Sequence, residues 1–312
     1  MRSFETHGAE GSVSTMHRRL ESSKVGRSSQ SRRLRSFVKK LWPVAHVLRT
    51  LRYIRDVAPL GLSAPMPTPY GFNLLTPRYR NMNIGSYEDE ELSCLHRVVL
   101  AEGTAVLIDV GAHCGLYSCY ALSKGLRAIA FEPLRRNLSY LYRNVFENGW
   151  QELCEIWPVA VTSKPGLQVL YDGGGGPAAS LISGWSGMNP KFSRVVSTTS
   201  LDVAIGSRFK GTKLFVKIDV EGAELQVLRG ASELLKSSPP PVWQIEICLS
   251  ECHPGGFNPH FRSVFELMAS HGYTATTADE EMREIRLPDV DCWISKNAIP
   301  FQQREFLFIH RL

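Results

Sequence analysis

The stretch IDVGAHCGLYS, residues 108–118, decides the fold. It closes AVLIDV (105–110), a short apolar run that ends on an acid, and it opens a helical segment. A run of that length bounded by glycines reads as a buried strand. Gly111 and Gly115 give the turn after it the freedom to bend tightly and to bring backbone close to a ligand at the helix N-terminus. A strand, a glycine turn and a helix in this order form the first unit of a doubly wound α/β fold.

The same unit recurs outward from this point. LRAIAFE (126–132) reads as a second buried strand, followed by a helix over 135–148. CEIWPVAV (154–161) reads as a third strand. KLFVKIDV (213–220) is a fourth, with a helix over 223–236, and VWQIEICL (242–249) is a fifth, with a helix near 259–270. Continuous apolar strands alternating with helices predict a mostly parallel sheet covered on both faces. YEDEELSCLHRVVLAEG reads as a helix ahead of the first strand, its acids in the first turn. Residues 167–199 and 273–312 are β-rich insertions, and EFLFIHRL reads as a strand closing the sheet edge.

The turn also points to a ligand. Glu132 follows Gly111 by 21 residues at the end of the second strand, where doubly wound folds set an acid against ribose hydroxyls. The pattern is D-x-G-x-x-x-G, with His113 where a pyrophosphate-binding turn has its second glycine. Asp109 at the strand end would repel a diphosphate and suits a cationic sulfonium. These residues favour S-adenosylmethionine over NAD, and no GxxxxGK[ST] sequence is present for a P-loop.

IDVGAHCGLYS, AFEPLRRNLSYLYRN (130–144), PVAVTS (158–163), TTSLD (198–202) and KIDVEGAELQVLRGA (217–231) follow one another in that order. Together they resemble the FkbM-type family of S-adenosylmethionine-dependent methyltransferases, over about three fifths of the chain from Gly85 to Tyr273. The resemblance implies a class I methyltransferase, a Rossmann-like doubly wound sheet, with S-adenosylmethionine as cofactor. It implies that Asp109, Gly111 and Gly115 form the turn on the methionine side and that Glu132 takes the ribose diol. Pro133 would shape the turn behind it, and Ala160 would lie beside adenine. Tyr87 and Glu88, in GSYEDE, would cap the cofactor. The family commonly has a small polar residue where this chain has His113, a departure that touches the pocket rather than the backbone.

Three further acids reach the same sheet edge. Asp219 and Glu221 end the fourth strand and Glu246 the fifth, with Gly222 permitting the turn. An acceptor hydroxyl must lose its proton during methyl transfer, so a carboxylate base is expected there. Asp219 is the first choice, with Glu221 and Glu246 behind it, while Glu224 reads as a helix-surface or capping acid. The resemblance implies a hydroxyl of a glycan or small natural product as acceptor. Lys217 reads as a lysine snorkelling at a sheet edge or lying near the site. His253 reads as a loop histidine. Cys248, Cys252 and His253 are too few for a metal site, so no metal is expected. Residues 173–176, four glycines, read as a hairpin loop, and Trp157, Trp185, Trp243 and Trp293 as packing residues.

Composition bounds the remainder. The chain has 312 residues, 36 Lys and Arg against 30 Asp and Glu, and is 43% hydrophobic, as a globular protein is. Residues 1–56 hold 13 of the basic residues and four of the acids, so the excess charge belongs to a tail and the main body gives no support for nucleic-acid binding. Seven cysteines without a CxxC pair suit a reducing compartment. With no apolar signal core or membrane-spanning run, a cytoplasmic location is expected, possible contact with a membrane surface included.

The division expected is a basic tail over 1–60 and a methyltransferase domain over 61–312. Residues 1–34 read as disordered. Phe37, Leu41, Val44, Leu48, Leu51 and Ile54 follow helical spacing, with basic residues on the other faces. Residues 35–56 therefore read as an amphipathic helix that docks on an anionic membrane or a protein partner, or that packs on the domain. Two other functions stay open: a non-catalytic cofactor-binding or membrane-docked interaction protein, and an NAD-dependent oxidoreductase.

Overall fold

The computed structural model describes residues 65–76, 89–173, 178–301 and 304–310. The chain divides into units Met1–Ala58 and Pro59–Leu312. The tail, its amphipathic helix, Tyr87 and Glu88 lie outside the described residues.

A short hairpin, β1 (Met66–Pro67) and β2 (Asn73–Leu74), precedes α1 (Asp89–Glu102). Then come β3 (Val106–Val110), α2 (Leu116–Ser123), β4 (Arg127–Phe131), α3 (Arg135–Glu147) and β5 (Cys154–Trp157). A second group follows: β6 (Ala160–Val161), β7 (Gly166–Tyr171), β8 (Ser193–Thr199) and α4 (Leu201–Ile205). The chain continues through β9 (Leu214–Ile218), α5 (Glu224–Arg229), β10 (Val242–Glu246) and α6 (Phe261–Ser270). The remaining elements are β11 (Tyr273–Thr277), β12 (Glu284–Ile285), α7 (Leu287–Lys296) and β13 (Glu305–His310).

The main sheet has the order β12-β11-β13-β10-β9-β3-β4-β5. The five strands from β10 to β5 are parallel. Every side chain of β3 and β9 is buried, as a parallel sheet covered on both faces requires. Val106, Ile108, Val216, Ile218 and Ile245 point to the face packed by α4, α5 and α6. Leu107, Phe215 and Val242 point to the face packed by α1 and α2, and Ala128 and Ala130 pack on α3.

Three expectations are corrected. EFLFIHRL does not close the edge: β13 lies between β10 and β11, antiparallel to both. Its Phe306, Leu307 and Phe308 are fully buried, which an edge strand with one open side could not achieve. CEIWPVAV is two strands, because Pro158 has no N–H for the ladder. β5 stays in the main sheet, while Ala160 begins β6, which pairs with β8 in a separate sheet of order β6-β8-β7. The helix expected over 223–236 ends at Arg229, and a short 3-10 turn, Leu234–Lys236, follows. A Cβ at Gly230 would stand 2.3 Å from the Thr162 carbonyl oxygen, so the chain turns there on glycine.

Candidate active site

The carboxyl ends of β3, β4 and β9 open onto one cavity, lined among others by Gly111, His113, Glu132, Pro133, Asn137, Ala160, Asp219 and Glu221. It sits at the crevice where the strand order reverses, the usual ligand position in such sheets.

The glycine turn is built against protein. Gly111 has φ +89°, and a Cβ there would lie 1.8 Å from the Asp219 carbonyl oxygen. Its N–H and that of Ala112 both donate to the Phe131 carbonyl. Gly115, also at φ +89°, would drive a Cβ to 2.4 Å from Leu141 Cδ1 on α3. The close approach inferred from the sequence is therefore made by backbone and a leucine. Asp109 stands behind the turn: it is 2% exposed, and its Oδ2 accepts from Ser118 N at 3.1 Å and Ser118 Oγ at 2.5 Å. It holds the first turn of α2, and burial pushes its carboxyl up to about 6.

Glu132 faces the cavity from the end of β4. Its Oε2 accepts from His113 N at 2.9 Å and its Oε1 from Leu134 N at 2.7 Å. Burial pushes it up to about 7 against those two bonds and a third from the Asn137 side chain. Of the four lone pairs of the two oxygens, these three bonds leave acceptor capacity for a ligand hydroxyl. His113 takes a left-handed φ of +51° to aim its N–H at Glu132. Asn137, in the first turn of α3, is 3% exposed, and its Oδ1 has no hydrogen-bond partner among the described residues. A buried unpaired acceptor in a cavity wall suits a ligand that donates.

The segment Asp219–Gly222 forms the other wall. Glu221 has φ +55°, a conformation costly outside glycine and held here by its neighbours. Ser180 Oγ donates to the Glu221 carbonyl at 2.6 Å, and Trp185 Nε1 donates to Glu221 Oε2 at 2.7 Å. At Gly222, φ +98°, a Cβ would meet the Trp185 ring at 2.4 Å. Glu224 is not on the surface: it is 2% exposed, its Oε1 accepts from Gly222 N at 2.7 Å, and burial pushes it up to about 8. The Asp219 side chain stays 36% exposed. Glu246 lies beside it at the end of β10, pushed above the usual carboxylate range first by the Asp219 charge and then by burial.

Lys217 is not at a sheet edge. It is buried in the central strand β9, its Nζ 2.6 Å from Glu305 Oε1. His253 stays in a loop, its ring edge-on to Trp185 and its imidazole pushed down by burial. The sulfurs of Cys248 and Cys252 each lie 3.6 Å from Arg304 Nη1. Among the described residues no group of three or more His, Cys, Asp or Glu is arranged to hold a metal ion.

The sequence missed Asn137, Trp185 and the Lys217–Glu305 pair. FEPLRRN sets an amide five residues past Glu132, in the first turn of a helix that starts at the cavity, and that spacing could have found Asn137. Nothing local marks Trp185 or Glu305, whose partners lie 36 and 88 residues away.

Such a cleft defines a class, the doubly wound proteins that take an adenosine-type cofactor at the carboxyl edge. The sheet departs from the 3-2-1-4-5-6 order of dinucleotide folds by the antiparallel β13 inserted beyond β10. Residues 109–275 match the model of the methyltransferase FkbM domain, more than half of the chain, and the chain belongs to that family. S-adenosylmethionine is accordingly its cofactor, and Glu132, Asn137 and the acidic wall fit its diol, donor groups and positive charge.

Among solved structures, an FkbM methyltransferase from Methylobacillus flagellatus KT is 15% identical over 66% of this chain, with a TM-score of 0.40. The chain spans 43% of that protein's length. A human methyltransferase 10 domain containing protein is 12% identical over 77% of this chain and 89% of its own, with a TM-score of 0.40. A SAM-dependent methyltransferase from Agrobacterium tumefaciens is 11% identical over 78% of this chain and 68% of its own, with a TM-score of 0.39. No curated protein matches the chain.

Proposed function

We propose that the protein transfers a methyl group from S-adenosylmethionine to a hydroxyl of a glycan or small natural product. The observation that carries this reading is Asp219. Of the acids around the strand ends and the turns after them, Asp109 is committed to Ser118 and Glu224, at the start of α5, to Gly222 N, whereas Asp219 lines the cavity with its side chain 36% exposed. Bound S-adenosylmethionine supplies a methyl group already activated by its sulfonium and leaves as a neutral thioether. Asp219 accepts the acceptor's hydroxyl proton as the oxygen–carbon bond forms, so no free alkoxide is needed. Glu221, held by Trp185, and Glu246 orient the hydroxyl, and Glu132 with Asn137 fixes the nucleoside so that the methyl group faces it.

The test is transfer of labelled methyl from S-adenosylmethionine to a panel of sugars, polyols and phenols. Alkali-stable methyl ether products are expected. Asp219→Asn should lower kcat by about 10²–10⁴-fold at saturating S-adenosylmethionine, the usual share of general-base catalysis. Label on carboxyl or amine groups alone would refute the hydroxyl acceptor. Cofactor binding with no transfer to any acceptor class would favour the non-catalytic reading. Among the described residues no helix is long and apolar enough to cross a membrane. Contact through residues 35–56 with a membrane or partner is part of the proposal, checked by flotation with anionic vesicles, and flotation equal to that with neutral vesicles would remove it.

A further inference from the structure

On the α2 face of the sheet, strand register sets two polar rows across the carboxyl edge. Asp109 of β3, Lys217 of β9 and Gln244 of β10 are register partners in the first row. In the second, Glu246 of β10 pairs with Glu305 of β13, and Asp219 follows Ile218, the partner of Ile245, so it stands beside Glu246. Lys217 and Asp219 are two apart on one strand and point the same way. The lysine thus rises beneath a row of three acids.

Its position is fixed from several sides. Lys217 is 1% exposed, with Nζ 2.6 Å from Glu305 Oε1 and 3.9 Å from Asp219 Oδ2. Gln244 Nε2 donates to the other Glu305 oxygen at 2.8 Å, and the Tyr117 ring of α2 lies 5.1 Å from the ammonium. Asp109 faces it from β3, Glu246 from β10, and Glu221 joins the same field from the turn. Arg304, ahead of β13, faces Glu246 while contacting the two cysteine sulfurs. Burial alone would push the lysine down, but Glu305, Asp219 and Glu246 outweigh it and push it up, so it stays a cation. A buried ion pair in the middle of a sheet is rarely the most stabilising filling for that space, where an apolar pair does as well or better. Its position under Asp219 and Glu246 gives it a use beyond packing.

We propose that Lys217, pinned by Glu305 and Gln244, is a positioning residue of the acceptor side, its ammonium fixing where and with what charge Asp219 and Glu246 meet the acceptor. The inference deepens the methyl-transfer reading and rests on it for its catalytic use. The Asp219 charge is the largest influence raising Glu246, and Lys217 opposes it. Without the cation, nothing on the strand below offsets the repulsion between the two carboxylates, and Glu246 is pushed further up.

The experiment follows the side-chain carboxyl signal of Glu246 by ¹³C NMR against pH in the full chain, with S-adenosylmethionine binding measured by calorimetry on the same samples. Lys217→Met should move the Glu246 titration up by about 1–3 pH units, the usual effect of losing an opposite charge at this range. Lys217→Arg should restore it. Lys217→Met leaves Glu305 buried and unpaired, so Lys217→Met/Glu305→Gln, which removes both charges, keeps the test valid if the single variant fails to fold. A shift in that double variant supports the proposal. Titration unchanged in both Met variants, or unrestored by Arg, overturns it, whatever the cofactor does. A shift in the variants, with a wild-type chain that binds no S-adenosylmethionine, supports the placement of charge and refutes the methyl-transfer reading instead.

Discussion

Gly111 and Asp219 are in contact through their backbones: the space a Cβ would fill on the glycine is taken, at 1.8 Å, by the Asp219 carbonyl oxygen. Asp219 N donates to the Val110 carbonyl at 2.9 Å, so the turn after β3 and the end of β9 are fastened together at the point where the candidate base leaves the sheet. The glycine turn and the acidic turn are one structure.

Gly111→Ala therefore strains a φ of +89° and pushes two strand ends apart. The expected cost is about 3 kcal/mol or more, the sum of backbone strain and overpacking. Urea denaturation measures it, and a loss below about 1 kcal/mol would show that the two turns separate easily.

Trp185 and Glu221 give a second test. The indole N–H to carboxylate bond of 2.7 Å is part-buried and charge-assisted, worth roughly 1.5–3 kcal/mol. Trp185→Phe should lose about that much stability, and Glu221→Gln should cost much less in the Phe background than in the wild type. Additive losses in this double-mutant cycle would mean that the pair is uncoupled.

Stability should fall as pH rises. Burial raises Asp109 to about 6, Glu132 to about 7 and Glu224 to about 8. Between the unfolded carboxyl values near 4 and these folded ones, the folded chain holds more protons than the unfolded chain, so ∂ΔG/∂pH is negative across that window. Urea midpoints at pH 5.5 should exceed those at pH 8.5 in the cofactor-free protein. The reverse order would show these carboxyls ionised at low pH by stronger contacts.

Cofactor affinity should run the other way. Glu132 accepts from a ribose diol best as a carboxylate, so S-adenosylmethionine affinity should rise as pH passes through about 7. Glu132→Gln should weaken binding about ten- to hundredfold, the worth of a hydrogen bond to a charged group, and flatten that rise. Calorimetry across pH 6–8.5 decides, and a rise that persists in the Gln variant would assign the titration to another group.

Much of the parallel sheet was legible because its strands are continuous apolar runs. β3, β4, β9 and β10 fall inside the stretches read as strands, and Asp219 and Glu132 fall at their ends. Pro158 hid the division of CEIWPVAV, since an apolar run carries no mark of which sheet each half joins. EFLFIHRL was misplaced for a related reason: hydrophobicity gives burial but not neighbours. Residue type left Lys217 open between a sheet-edge lysine and one near the site, and Glu224 between a helix-surface and a capping acid. Their burial follows from partners that only the closed sheet brings near, Glu305 for the lysine and the Gly222 N–H for the glutamate.

The place of β13 bears on how the domain is made. β10 and β11 flank it and are joined in the sheet through it, and β13 leaves the ribosome after both. During synthesis those two strands each present an unpaired edge, and Lys217 and Gln244 wait in a nascent sheet without Glu305. The parallel half can assemble early, but its ionic centre cannot close until residues 305–310 emerge. Folding is thereby gated on a late, long-range pairing, and the stage most exposed to aggregation is the one just before it.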